Sequence, residues 1–241
     1  MSAPILMIEH DPNSPPGTLT GWLEGAGATV EMSRPHAGDG LPTDLSGFSG
    51  IVMLGGGRSA YSDKRFEWRS RTIDLLQKAA SEQVPTLAMC LGSQLVAHAF
   101  GGVVERGDKG MELGPMQAGR KDISYKDELF DTLPMAPDVI EFHGDAITAL
   151  PPGATWLMGG PLYEHQAFRV GERMWAIQFH IETTPEIFNA WMRDNEAGLV
   201  KRGFDVERLI SRYAIVHPEL EEVWEPFIRK FVEIAHRENG V

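Results

Sequence analysis

The sequence predicts a doubly wound α/β fold on a mostly parallel sheet, and three observations predict it. Short apolar stretches at residues 4–8, 28–32, 50–54 and 85–89 mostly end at Gly, Pro or Asp, as strands buried on both faces of a parallel sheet do. Longer helix-compatible segments lie between them, around 18–26 and 64–82. Strand and helix therefore alternate, and in such sheets sites form beyond the carboxyl ends of the strands.

The first strand, 4–8, and the third, 50–54, are almost wholly apolar, so neither face is expected to meet water. In the segment 64–82, Trp68, Ile73, Leu75 and Leu76 alternate with Arg, Gln and Lys, which predicts an amphipathic helix. After residue 101 the texture changes to shorter strands, with turns expected at Gly110, Gly114 and Gly119. Tyr163 to Ile181 reads as a hairpin turning at Gly171-Glu172, so antiparallel edge strands are expected there. From about Asn195 the chain reads as helical. Leu220, Val223, Trp224, Phe227, Ile228, Phe231 and Val232 make one apolar stripe, with a kink or restart at Pro226. The stripe packs on the rest of the molecule or docks a second chain. The simplest division is a main domain over 1–194 and a helical C-terminal extension over 195–241.

Composition narrows the function. The 241 residues are enough for a sizeable core, and 42% hydrophobic with 23% charged residues is ordinary for a globular chain. A net charge of -12 opposes binding to a nucleic-acid backbone. A single cysteine rules out an internal disulfide and fits a reducing compartment. The start, MSAPILMIEHD, has no basic leader, and no segment nears the roughly 18 apolar residues of a membrane span. The expectation is a soluble cytoplasmic protein with no membrane or nucleic-acid partner.

Three segments carry chemistry. PTLAMCLGSQLVAHAFGG, residues 85–102, runs an apolar strand into Cys90, with Gly92 two residues on and an apolar helix at once after it. A sharp strand-to-helix turn lifts a nucleophile out of the sheet, and the helix N-terminus favours a thiolate. A lone cysteine also serves as a small core residue, and that alternative stands beside this one. MWAIQFHIE, residues 174–182, ends in His180 and Glu182, which point to the same side of an extended chain. A thiolate needs such a proton carrier and a group to orient it. IVMLGGGRSAYSD, residues 51–63, empties a strand into three glycines, whose N–H groups suit the negative oxygen of a tetrahedral intermediate. An ordinary strand-to-helix turn reads the same way. A phosphate loop does not, for no Lys-Ser or Lys-Thr follows at the required offset. His143-x-Asp145 and His180-x-Glu182 would also suit a divalent ion, but neither has dedicated ligand spacing, and a metal leaves Cys90 unexplained.

Together these segments resemble the class I glutamine amidotransferases, most nearly the free-standing members similar to the glutaminase domain of guanylate synthetase. CLGSQ at 90–94 matches the nucleophile elbow, QFHIE at 178–182 the His-x-Glu element, and GGGRSAY at 55–61 stands where the oxyanion loop is Gly-Gly-Pro. The resemblance covers roughly 4–190 and implies a flavodoxin-like sheet. It implies that Cys90 is the nucleophile, His180 the general base and acid, and Glu182 its orienting group. It further implies that backbone N–H groups of Gly56 and Leu91 form the oxyanion hole, and that Gln94, His143, Gly144 and Asp145 contact the substrate. Two positions depart from the pattern: Gly57 and Ile181 replace prolines.

The implied reaction is hydrolysis of a glutamine γ-amide through a γ-glutamyl thioester, with no cofactor and no metal. The partner is then glutamine or another γ-glutamyl small molecule, together with a separate synthase subunit that takes the ammonia. The alternatives are a γ-glutamyl hydrolase or peptidase, and a non-catalytic binding protein that keeps the fold.

Overall fold

The computed structural model describes residues 2–237. In chain order, β1 (Ile5–Ile8), α1 (Leu19–Gly25), β2 (Val30–Ser33), β3 (Gly50–Met53), α2 (Arg69–Ser81), β4 (Thr86–Met89) and α3 (Leu91–Ala99) form the alternating half. Then come β5 (Val103–Arg106), β6 (Glu112–Gln117), β7 (Gly119–Arg120), β8 (Asp138–His143), β9 (Asp145–Ala149), β10 (Thr155–Gly159), β11 (Ala167–Val170) and β12 (Met174–Ile177). Three helices follow: α4 (Pro185–Asp194), α5 (Glu196–Lys201) and α6 (Val206–Arg237).

The main sheet has the order β2-β1-β3-β4-β12-β11-β10-β7. Its first five strands are parallel, and β11, β10 and β7 are antiparallel. Alternate residues of β1, β3, β4 and β12 feed two different cores. Ile5, Met7, Val52, Leu87, Met89, Trp175 and Ile177 pack with α1 and α6. Leu6, Ile8, Ile51, Met53, Ala88 and Ala176 pack with α2 and α3. β1, β3, β4 and β12 are buried on both faces because helices cover both, which is why they read as continuous apolar runs. β2 corrects the expectation for 28–32, because it lies at the sheet edge with Glu31 exposed and Val30 and Met32 only partly buried. Two small sheets, β5-β9 and β6-β8, lie outside the main one.

Three further sequence expectations need correction. Gly114 and Gly119 lie within β6 and β7, not in turns. Gly114 has φ +86, and an added Cβ would meet Leu209 Cδ2 at 2.6 Å, so a close approach by α6 and a backbone conformation explain that glycine. Helical structure starts at Pro185, ahead of Asn195, with Thr184 capping α4 through its side chain on the Ile187 amide. Pro226 causes no restart: α6 is one helix with Pro218 and Pro226 inside it. A proline there forfeits an intrahelical bond. Burial of Trp224, Phe227, Ile228, Phe231 and Val232 against the sheet holds the helix regardless. No helix among the described residues is long and apolar enough to cross a membrane.

Candidate active site

Three neighbouring parallel strands deliver the three motifs to one edge of the sheet. β3 leads into Gly55–Gly57, β4 into Cys90, and β12 towards His180. β4 pairs with β3 on one side and with β12 on the other, Met89 lying opposite Ile177. Segments far apart in sequence therefore end side by side. His180 itself bridges to Ile140, its N–H donating to the Ile140 carbonyl at 2.7 Å.

Cys90 sits between β4 and α3 with φ 49 and ψ -109. A positive φ in a non-glycine residue costs of order 1–3 kcal/mol and persists only where the surroundings enforce it. Here the Cys90 N–H donates to the Ile177 carbonyl at 2.9 Å, while its carbonyl accepts from the Gln94 N–H at 3.0 Å and the Ser93 hydroxyl at 2.7 Å. Gly92 is needed behind it, because an added Cβ would stand 2.8 Å from the Met53 carbonyl oxygen.

His180 is buried, and its Nδ1 lies 2.6 Å from Glu182 Oε1. The other carboxylate oxygen, Oε2, accepts from the Ile181 N–H at 2.9 Å. A proline at 181 would have no such N–H. Burial alone would lower the His180 pKa, but the Glu182 charge and the charge and hydrogen bond of Cys90 outweigh it and hold it well above the ordinary histidine value. Glu182 and Cys90 thus both favour the charged form of the ring. Trp191 closes one side, its ring edge-on to His180 at 4.8 Å.

The glycine loop runs close to Cys90 and His180. A Cβ at Gly55 would come within 3.0 Å of His180 Cε1 and 3.4 Å of Cys90 Cβ. One at Gly56 would meet Leu91 Cδ2 at 3.1 Å, so the loop after β3 and the first residue of α3 are adjacent.

A cavity of about 330 Å³ opens on this edge, lined by Cys90, His180, Gly56 and Gly57. That is within the range of small-ligand sites. Sequence reasoning missed the rest of its wall. Asp11, Asn13 and Ser14 reach it from the loop after β1, Phe142 from β8, and Trp191, Asp194 and Asn195 from α4 and just beyond. Only the adjacency of β1 to β3 could have flagged the first group, as another carboxyl end at the same edge. Phe142 and Trp191 stack at 5.2 Å between ring centroids. The helix α6 touches the site indirectly, the Tyr213 hydroxyl donating to the Thr183 carbonyl at 2.8 Å.

The remaining candidates lie beside the cavity and do not line it. Gln94 is buried, and its amide donates to the Asp145 carbonyl at 3.0 Å and to Gln178 Oε1 at 3.2 Å. Gly144 makes room for the Arg106 guanidinium, which an added Cβ would overlap. Asp145 takes weak contacts from Arg106 and Ser59, both at 3.4 Å. His143 turns inward: its Nδ1 lies 2.8 Å from the Asp145 carbonyl, and its Nε2 lies 3.0 Å from Glu112 Oε2 and 3.1 Å from Glu141 Oε2. Among the described residues, the group with atoms placed to hold a cation is Glu112, Glu141 and His143, not the two His-x-acid pairs read from the sequence. Here the imidazole is itself the cation.

Burial would lower the His143 pKa, yet the hydrogen bond to Glu112 and the nearby Glu141 carboxylate raise it to about 10. Burial likewise raises the Glu141 pKa. A histidine whose pKa is higher folded than unfolded stabilises the fold fully below its unfolded value of about 6.5. That contribution is lost as pH rises through about 10. His143→Gln should therefore melt below the wild type at pH 6, and the gap should narrow steadily towards pH 10. Thermal denaturation across that range checks this.

Comparison with known proteins places this geometry. A profile of the family Glutamine amidotransferase class-I matches residues 23–197. Over 154 residues the chain is 34% identical to the glutamine-hydrolysing GMP synthase of Porphyromonas gingivalis; the match takes in 62% of this chain and 27% of that protein. It is 28% identical over 164 residues to gamma-glutamyl peptidase 4 of Arabidopsis thaliana, covering 67% of this chain and 64% of the relative. The crystal structure of a glutamine amidotransferase from Thermotoga maritima superposes with a TM-score of 0.87 at 25% identity, covering 97% of this chain and 99% of that one. The GMP synthases that it matches are thus much longer than the aligned region. With the sheet order, the elbow at Cys90 and a family profile over most of its length, the chain belongs to the class-I glutamine amidotransferases.

Proposed function

We propose that this chain hydrolyses the γ-amide of glutamine with Cys90 as nucleophile and His180 and Glu182 as its proton-transfer pair. One observation carries the reading: a buried His180 held by Glu182 on one nitrogen and interacting with the only sulfur nucleophile, both opening on a cavity edged by glycines.

In this mechanism the Cys90 thiolate adds to the carbonyl carbon of the γ-carboxamide, and the carbonyl oxygen takes the electron pair. Backbone N–H groups of Gly56 and Leu91 hold that oxyanion. The C–N bond breaks as the His180 imidazolium gives its proton to the leaving ammonia. Neutral His180 then takes a proton from water, whose oxygen adds to the thioester carbon. Collapse of the second tetrahedral species frees glutamate, the Cys90 thiolate and a restored imidazolium. Glu182 keeps the ring oriented and stabilises its charge throughout. Gln94, His143, Gly144 and Asp145 would support the amino-acid end of the substrate from behind the cavity. The ammonia would pass to a synthase chain.

A second reading, hydrolysis of a larger γ-glutamyl amide with no ammonia transfer, is favoured by the likeness to gamma-glutamyl peptidase 4. A glutamine-mimicking electrophile, a γ-diazoketone, is expected to label Cys90 and nothing else. An adduct elsewhere, or none, overturns both readings. Faster turnover of γ-glutamyl dipeptides than of glutamine selects the second.

A further inference from the structure

An oxyanion hole works only if its donors are fixed before the charge forms. Three successive glycines, Gly55 to Gly57, are the worst sequence for that, because glycine restricts the backbone least. A proline at 57 would fix φ, and this chain lacks it. Something else must hold the loop.

The residues around the loop supply it. The Gly57 N–H, the group that a proline would not have, donates to Asp11 Oδ2 at 3.1 Å. The same oxygen lies 3.3 Å from Arg58 Nη1. Arg58 Nη1 also donates to the His10 carbonyl at 2.8 Å, and its Nε donates to the Arg65 carbonyl at 2.8 Å. Its guanidinium lies 4.5 Å over the Trp68 ring. Trp68 in turn donates through Nε1 to His10 Nδ1 at 3.0 Å. The other Asp11 oxygen accepts from the Asn13 N–H at 3.0 Å, which fixes the carboxylate in its own turn. One guanidinium therefore ties the loop after β3 to the loop after β1 and to the segment before α2. Both Asp11 and Arg58 are mostly shielded from water, with side-chain exposures of 15% and 22%. On its inner side the loop is already in contact with Leu91 and His180.

We infer that Asp11 and Arg58 are positioning residues that brace the glycine loop, substituting hydrogen bonds for the rigidity of a proline at position 57. This rests on the reading of Gly56 as an oxyanion donor. Arg58 does not line the cavity, whereas Asp11 does, so Arg58 separates bracing from substrate contact. A lysine at 58 keeps the charge but cannot present two donors in a fixed fork.

The test uses the full chain with Arg58→Ala, Arg58→Lys and Asp11→Asn. Three quantities are measured: kcat and KM for the γ-glutamyl amide, inhibition by a γ-glutamyl aldehyde, and the rate of Cys90 alkylation by iodoacetamide. The aldehyde carbon bonds to sulfur and its oxygen enters the hole. Iodoacetamide loses iodide to the sulfur and forms no oxyanion. Arg58→Ala should lose about 10- to 100-fold in kcat and in aldehyde affinity, with little change in KM or in alkylation. Arg58→Lys should fall most of the way with it, and serves as the main variant where Arg58→Ala does not fold. Unchanged kcat and aldehyde affinity overturn the brace. So does alkylation slowed in parallel with kcat, because the whole site would then be disturbed. A wild type that the aldehyde does not inhibit refutes the oxyanion reading itself, and the brace with it.

Discussion

Replacing Cys90 with Ala is expected to lower kcat/KM for γ-glutamyl amide hydrolysis at least about 10⁴-fold, while the melting temperature stays nearly unchanged. Cys90 is the only thiol in the chain, so no neighbour can take over its role. The side chain that is lost is small, and its backbone is held by bonds that do not involve the sulfur: its carbonyl accepts from Gln94 and Ser93, and its N–H donates to the Ile177 carbonyl. What survives is the contribution of the pocket alone, binding and oxyanion donors without a covalent route. Ammonia release measured on the variant, with calorimetry as the folding control, decides the matter. Hydrolysis at the wild-type rate would mean that the nucleophile lies elsewhere.

Glu182→Gln should follow it in size, with a loss of about 10²- to 10⁴-fold in kcat. Both carboxylate oxygens of Glu182 accept: Oε1 from His180 Nδ1 at 2.6 Å and Oε2 from the Ile181 N–H at 2.9 Å. A carboxamide has one acceptor, so its NH₂ must face either the ring N–H or the backbone N–H. The ring loses its orientation, or the loop loses its bond. The charge is lost in either case. The Glu182 carboxylate is the leading cause that raises the His180 pKa, against burial that lowers it. Without it the imidazolium should deprotonate at lower pH. The alkaline limb of the pH–kcat profile should move to lower pH, a displacement that mere misfolding would not produce. A profile of unchanged shape would remove Glu182 from the proton-transfer pair.

Much of this molecule was legible in the order of its residues. Parallel strands announce themselves because both faces are buried, so β1, β3 and β4 read as apolar runs with sharp ends. Cys90 was readable because a strand, a small residue and a helix in that order leave few conformations for the residue at the turn. The hairpin of β11 and β12 showed through its Gly171-Glu172 turn, but its strands are not the edge strands expected, since β2 and β7 form the edges of the main sheet. Other features depend on contacts between distant segments and leave no local trace. Gly114 is paired within β6, and it is a glycine because Leu209 packs where a side chain would be. Pro226 lies inside an unbroken helix because the apolar stripe around it is buried. Asp11 and Trp191 line the cavity only because the sheet order and the packing of α4 bring them there.

The place of β12 in the sheet bears on when the proposed site can form. It is the strand between β4 and the antiparallel half, and it is made more than eighty residues after β4. Until it pairs with β4, that strand has an open edge and the two halves of the sheet are not joined, so the mechanism proposed above would leave Cys90 without its base. Under that proposal, activity is expected to appear only once β12 has paired with β4. Mutations that weaken the pairing of Met89 with Ile177 should show as slow acquisition of activity before they show as loss of it.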